Sequence, residues 1–433
     1  MKSTASQNMD GRTTNSPWQR SVALVGERYV NRLFLFLTAL SLVGLVISAI
    51  RMTSGLGYFA GVNDAYTWGV WKNFNVMTLT ALGSGGLSVG LAVWVFGRKK
   101  LHAVMRVAVL TSFLFYSTGI IAIMVDIGRP WNFWNVLLPW RWNPHSALLE
   151  VALCMPAYAF LPLLVENLPP IMEDAHLRGA DWQKKLVIMA RPVIEKIFPV
   201  MLALAFVLPM MHQSSLGALM LFAGHKVHPL WQTQMLPFLY LVDAFVCGFA
   251  FVIFALMASC LYWRLPLDMD ILGELGLWMS LTGIFWVALR SVDIVWRGLF
   301  LVAFKPNFYS VLFQVEQSFI LIPALILLRE KWRKTPTILL QTALFLIFGG
   351  LLYRFDPTTL AFQPGRQYSY FPSVAEIFIG VGYIAIAIML YSLAVKRFPI
   401  LPAPAQRWNE SVAYVRAHQP QSEINTGALW QSE

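Results

Sequence analysis

Only three cysteines occur in 433 residues, Cys154, Cys247 and Cys260, and none belongs to a CxxC pair or a regular spacing. That excludes a disulfide framework and leaves no ligand set for an iron-sulfur cluster, so any cluster serving this protein belongs to a partner. Charge is scarce too. Asp, Glu, Lys and Arg make up 13% of the residues against 57% hydrophobic ones, too little polar material to cover a water-soluble surface. Long polar linkers are also missing, so the chain reads as one membrane domain over residues 29–396 between two solvated tails, 1–28 and 397–433. The N-terminal tail has no apolar stretch ahead of a small-residue cleavage site. No removable signal peptide is expected, and the first apolar run is expected to direct insertion.

What the chain has in abundance is apolar runs of about 20 residues, the length an α-helix needs to cross about 30 Å of hydrocarbon. There are ten, near Tyr29–Ile50, Phe74–Gly97, Ala103–Val125, Ser146–Val165, Val193–Leu216, Met235–Trp263, Leu272–Leu299, Tyr309–Leu328, Pro336–Tyr353 and Ser373–Val395. The expected fold is an all-α integral membrane protein with about ten transmembrane helices. With both termini in the cytoplasm, 21 of the 33 Lys and Arg residues fall in cytoplasmic segments, nine in outer segments and three within helices. This obeys the positive-inside rule, so the formal charge of +11 reflects topology and no nucleic acid is expected as a partner.

Ionisable groups inside a bilayer are costly unless paired or hydrated, so their positions carry information. In this topology Asp126, Glu150, Asp243, Arg290, Asp293, Glu316 and Glu376 all fall in the outer half of their helices, with His212, Tyr116, Tyr240 and Tyr309 in the same layer. Some of these could simply pair, as Arg290 and Asp293 one turn apart would. A weak parallel repeat relates helices three and four to seven and eight: Asp126, Arg129 and SALLEVAL (146–153) recur as Asp293, Arg297 and SVLFQVEQ (310–317). Glu150 then stands opposite Gln314, an asymmetry suggesting one working site. The GxxxG spacing at Gly86 and Gly90 reads as close helix packing.

Residues 211–233, MHQSSLGALMLFAGHKVHPLWQT, hold three of the seven histidines. A metal site is disfavoured because His225 and His228 flank Lys226 on a short outer connection without acids. A b-type haem usually takes two histidines from facing helices, and His212 alone is expected at depth, so no haem and no metal are expected. His212, Gln213, the serines and Tyr116, walled by apolar side chains and served by a protonatable neighbour, instead suit a neutral ring with two carbonyls. That describes a quinone.

WGVW (68–71), FYSTG (115–119), DIGRPWN (126–132), NPHSALLEVAL (143–153), MHQSS with AGHKVHPLWQ (211–232) and YFP (370–372) resemble HybB-type membrane subunits of periplasmic nickel-iron hydrogenases, within the wider NrfD/PsrC polysulfide reductase group. The resemblance runs from the first helix to the tenth. It implies a multi-pass subunit of the cytoplasmic membrane that anchors the complex and exchanges electrons between quinone (menaquinone or ubiquinone) and an extracytoplasmic iron-sulfur subunit, and through it the hydrogenase large and small subunits. The chain would be the quinone-reactive subunit of the complex and not its hydrogen-splitting one. Tyr116, Asp126, Arg129, Glu150 and His212 match motif positions that the resemblance ties to the quinone site or its proton path. Asn75 stands where relatives carry an acid.

The expected roles follow. His212 donates to one carbonyl, with Gln213 beside it; Tyr116 donates or relays; Glu150 is the ionisable gate; Asp126, held by Arg129, organises the outer mouth. Trp131, Trp134, Trp140 and Trp142 form an aromatic loop suited to a partner interface. The rival readings are a secondary transporter, which should show inverted repeats around a midplane site, and an NrfD/PsrC-type subunit of a molybdoenzyme or cytochrome complex without hydrogenase.

Overall fold

The computed structural model describes residues 29–127, 129–178 and 180–402. Among them are ten helices long and apolar enough to cross a membrane: α1 (Arg32–Ser54), α2 (Val70–Val95), α3 (Lys99–Asp126), α4 (Leu148–Ala175), α5 (Asp181–Leu221), α6 (Leu236–Trp263), α7 (Met269–Trp296), α8 (Phe308–Leu327), α9 (Pro336–Leu360) and α10 (Val374–Arg397). No strand forms among the described residues, and the one isolated bridge joins Val227 to Phe362. The all-α reading holds, as does the number of spans. Helices suit a hydrocarbon solvent because most of their backbone polar groups are satisfied within the segment.

Several helix starts are written locally. Asn31, Asp268 and Asn307 cap α1, α7 and α8 by accepting from backbone N–H groups two or three residues on. Ser373 and Glu376 form a capping box at the start of α10. Glu376 also accepts from the Tyr370 hydroxyl at 2.6 Å and from the Gly61 amide at 2.7 Å. This acid of the expected polar layer is therefore fully engaged in tying two loops to a helix end.

The largest departure in length is α5. Its 41 residues start at Asp181, well before the apolar run at Val193, and run through Pro192, Pro199 and Pro209. At 1.5 Å per residue it spans about 60 Å, twice a bilayer core. Its polar opening, DWQKK (181–185), hid the start from hydropathy, and an Arg191–Glu195 pair at 2.8 Å follows where the apolar run begins. Helix α2 departs in shape, with π-helical turns at Asn73–Thr78 and Leu91–Val95.

α6 is the central post, packed against α2, α5, α7 and α9. α2 to α5 gather on one side of it, α7 to α9 on the other, and α1 pairs with α10 at the edge. That pair approaches closely: a Cβ on Gly44 would lie 2.9 Å from the Gly382 Cα. The glycine spacing in α2 also serves packing, since the Gly86 amide donates to Ser112 Oγ at 2.9 Å and a Cβ on Gly90 would meet the Phe206 ring at 3.3 Å.

Alternation of ten spans puts the connections 55–69, 127–147, 222–235, 297–307 and 361–373 together on one face, the long-loop face. The expected polar layer lies under it.

Candidate functional site

Two of the three histidines of the 211–233 stretch end up in the connection and one at depth. His212 and Gln213 sit on α5 about 13 Å, or nine residues, below its long-loop end, and Tyr116 on α3 lies at a similar depth. All three are fully buried. The His212 and Tyr116 rings are 5.3 Å apart, and the Gln213 amide donates to the Tyr116 hydroxyl at 3.0 Å. Tyr158 closes the other side, edge-on to Tyr116 at 4.7 Å. Among the described residues neither ring nitrogen of His212 has a partner, nor does the Gln213 carbonyl oxygen. Each such buried atom would cost about 1–3 kcal/mol if left unsatisfied, so these atoms call for a polar partner. It offers one donor-acceptor ring and one acceptor in apolar walls.

The remaining expected residues lie nearer the rim. Asp126 ends α3 and pairs with Lys72 at 2.5 Å, while Arg51 donates to its backbone oxygen at 2.8 Å. The expected Arg129 partnership is corrected. α2 begins close to the end of α3, which brings Lys72 to Asp126, whereas Arg129 is exposed in the connection beyond. Glu150 is exposed on the first turn of α4, and among the described residues it makes no hydrogen bond or ion pair with His212, Gln213 or Tyr116. The structure thus brings together His212, Gln213 and Tyr116 and leaves Asp126, Arg129 and Glu150 around the entrance side of the bundle. Asn75 lies in the first π turn of α2, its amide donating to Trp71 O at 2.7 Å.

A second polar centre fills the α6–α9 side. Asp243 and Arg354 form a fully buried ion pair at 2.6 Å, and Arg354 also donates to Met77 O at 3.0 Å and Tyr240 O at 2.8 Å. The Arg354 guanidinium lies 4.8 Å from the Tyr240 ring centre. Tyr353, in edge contact with Trp286 and 5.2 Å from Tyr240, leads to Arg290, which lies 5.3 Å from the Tyr353 ring centre. Arg290 faces Glu316 at 3.8 Å and Asp293 at 4.0 Å. Trp231 donates to Glu316 at 2.7 Å, Thr233 to Asp293 at 2.5 Å, and Arg297 to Asp293 at 2.6 Å.

Arg354 and Asp356 were missed as buried groups because they follow the apolar run 336–353 and read as the start of a loop. A π-helical turn over Asp356–Leu360 carries the helix on and keeps both inside. The one signal in the sequence was an Arg and an Asp separated by one residue directly after an uninterrupted apolar run.

His225 is exposed, and His228 stacks on Tyr309 at 4.4 Å while its Nδ1 accepts from the Leu230 amide at 3.3 Å. The connection that carries them is a lid over the second centre. Arg297 donates to Pro229 O at 2.6 Å and Gln232 O at 2.8 Å, and the His228 amide to Ala361 O at 2.9 Å.

Ten membrane helices around buried histidine, tyrosine, carboxylate and guanidinium groups define a polytopic membrane protein with a polar interior on one side of the bilayer. Residues 60–356 match the family described as polysulphide reductase, NrfD, and the chain belongs to that family. It is 33% identical over 381 residues to the "Probable Ni/Fe-hydrogenase 2 b-type cytochrome subunit" of Escherichia coli (strain K12), covering 87% of this chain and 94% of that protein. It is 26% identical to the "Menaquinone reductase, integral membrane subunit" of Nitratidesulfovibrio vulgaris (strain Hildenborough), over 82% of this chain and 88% of that one. It is 22% identical to the "Hdr-like menaquinol oxidoreductase integral membrane subunit" of Archaeoglobus fulgidus, over 86% and 94%.

The name of the Escherichia coli relative overturns one expectation. A b-type cytochrome carries haem, and the absence of haem expected from the histidine inventory is corrected on that ground. The described residues fit such a group in part. His212 offers an unpartnered ring nitrogen at membrane depth, but no second described histidine faces it: His102, His145 and His225 are exposed and His228 is held on Tyr309.

Proposed function

We propose that this chain is the quinone-exchanging integral subunit of a respiratory oxidoreductase of the cytoplasmic membrane, with a nickel-iron hydrogenase as its soluble partner. The observation that carries the reading is the His212, Gln213 and Tyr116 group, buried, close-packed and holding polar atoms without partners among the described residues. The relatives' names support the same chemistry: one is a hydrogenase subunit, and two act on menaquinone or menaquinol.

In this reading a quinone carbonyl takes its hydrogen bond from His212, and Gln213 and Tyr116 fix the ring. Reduction consumes two electrons and two protons, so a proton donor must reach the carbonyls. Tyr116 relays, Glu150 gates exchange with the surroundings, and Asp126 with Lys72 and the exposed Arg129 shape the approach from the long-loop face. Electrons arrive from a partner iron-sulfur subunit docked on that face. Trp131, Trp134 and Trp140 are exposed there, the loop being stiffened by Trp142 donating to Val136 O at 2.9 Å and by Arg141 over Trp134. The distribution of Lys and Arg supports an extracytoplasmic long-loop face, with both tails (1–28 and 397–433) in the cytoplasm.

His212→Ala tests the site. Assembly with the soluble subunits and electron transfer to an acceptor that works directly at their clusters should be normal, while quinone-linked turnover falls. Glu150→Gln should lower the same turnover by about 10- to 1,000-fold, the range for losing a positioned proton-transfer group. Full quinone-linked activity in both variants would remove the site from α3–α5.

A further inference from the structure

Glu316 and Asp356 are both inaccessible to solvent, and their carboxyl groups lie within hydrogen-bonding range of each other. Glu316 already accepts from Trp231 on one oxygen and from Gln317 on the other, at 2.7 and 2.9 Å. The Trp231 indole bears on Asp356 as well as on Glu316. The cation bearing on both carboxyls is Arg290, and it is shared with Asp293.

The charges around them do not balance. Across the whole buried centre the carboxyls are Asp243, Asp293, Glu316 and Asp356, and the guanidinium groups are Arg290, Arg297 and Arg354. Arg354 is committed to Asp243 and Arg297 to Asp293, which leaves Arg290 against two touching carboxyls. Two carboxylates in contact in a low-dielectric interior cannot both be ionised, and an unpaired buried negative charge costs several kcal/mol. Tyr240 and Tyr353, the other titratable groups facing the pair, have hydroxyls with no partner among the described residues.

We infer that Glu316 and Asp356 hold one proton in common, the O–H of one carboxyl donating to the carboxylate of the other, and form a proton-storing site separate from the His212 group. The contact chain Glu316, Arg290, Asp293, Arg297 links it to the half-buried Arg297 under the long-loop face. Tyr353 and Tyr240 link it inward to Asp243 and Arg354. The proton is inferred from the closeness of the two buried carboxyls and the charge balance around them; only its use in quinone turnover rests on the function proposed above.

Infrared difference spectroscopy of the purified full-length protein, exchanged between H2O and D2O at neutral pH, reads this directly. Wild type should give the carbonyl stretch of a protonated, water-excluded carboxylic acid that moves on deuteration. Asp356→Asn and Glu316→Gln should each abolish it, because either substitution leaves one carboxylate balanced by Arg290, and Asp270→Asn at the opposite face should leave it intact. The inference is overturned if wild type gives no such band, if the band survives both substitutions, or if it emerges only on removal of sodium, which would make the pair a cation site. The wild-type measurement decides even if a variant does not accumulate. None of these outcomes depends on quinone activity, so the two proposals fail separately.

Discussion

At the junction of α3 and α4 the acids Asp126 and Glu150 lie at the rim of the bundle, whereas at the junction of α7 and α8 the corresponding stretch encloses Asp293 and Glu316. The two junctions share a sequence pattern, an acid followed by an arginine and then by SALLEVAL or SVLFQVEQ. They differ in what covers them. The connection 222–235 folds over the second junction and delivers Trp231, Thr233 and two backbone carbonyls to its charges. At the first junction Asp126 meets Lys72 of α2 and Arg51 of α1. A shared motif thus yields a half-buried ion pair in one place and an enclosed charge network in the other. The deciding element lies far away in sequence, and it is the histidine-bearing stretch itself.

The sharpest way to break this contrast is to remove one charge from the enclosed side. Arg354→Ala leaves Asp243 buried without its partner and should cost about 3–5 kcal/mol, seen as loss of accumulation in membranes or a large drop in melting temperature of the purified protein. The uncharged double substitution Arg354→Met with Asp243→Leu should recover much of it. If the double variant is as unstable as the single one, packing and not charge was lost.

A matched pair of substitutions sharpens the comparison. Arg297→Ala, which frees Asp293 and two carbonyls at the covered junction, should cost about 2–3 kcal/mol. Lys72→Ala at the open junction should cost about 0–1 kcal/mol. Equal losses in thermal melts would mean that the lid adds nothing.

Glu150→Gln should change stability by no more than about 0.5 kcal/mol, since the side chain is exposed and makes no ion pair among the described residues. A substantial drop in melting temperature would assign it a structural role.

The smallest expected effect concerns pH. Burial against Tyr309 pushes His228 below its ordinary value. The folded form therefore favours the neutral ring, and its contribution is complete above the unfolded value of about 6.5 and lost as pH falls below it. Wild type should lose a little melting temperature between about pH 7 and 5 relative to His228→Gln; parallel profiles would show that the lid does not feel this titration.

Much of this was legible in the residues. Apolar runs and basic flanks announce ten helices because a bilayer imposes length and hydrophobicity on each span separately. The caps Asn31, Asp268, Asn307 and Ser373 are equally local, each satisfied within three residues, although the apolar runs alone did not mark them. The depth of His212 and Tyr116 followed from their place in the runs. Partners were a different matter. Lys72 and not Arg129 holds Asp126, Arg290 faces Glu316 as well as its own-helix neighbour Asp293, and the Trp231 indole finds a carboxylate 85 residues on.

By itself, then, the order of residues determined the membrane class, the number of spans, the caps and the layer in which polar groups lie, because each depends on local composition and on a solvent that treats every helix alike. The tertiary structure alone decided which of those groups meet, which acids are enclosed and that Arg354 and Asp356 belong to the interior. A buried charge is governed by whichever helix and connection pack against it, and that packing is a property of the assembled bundle.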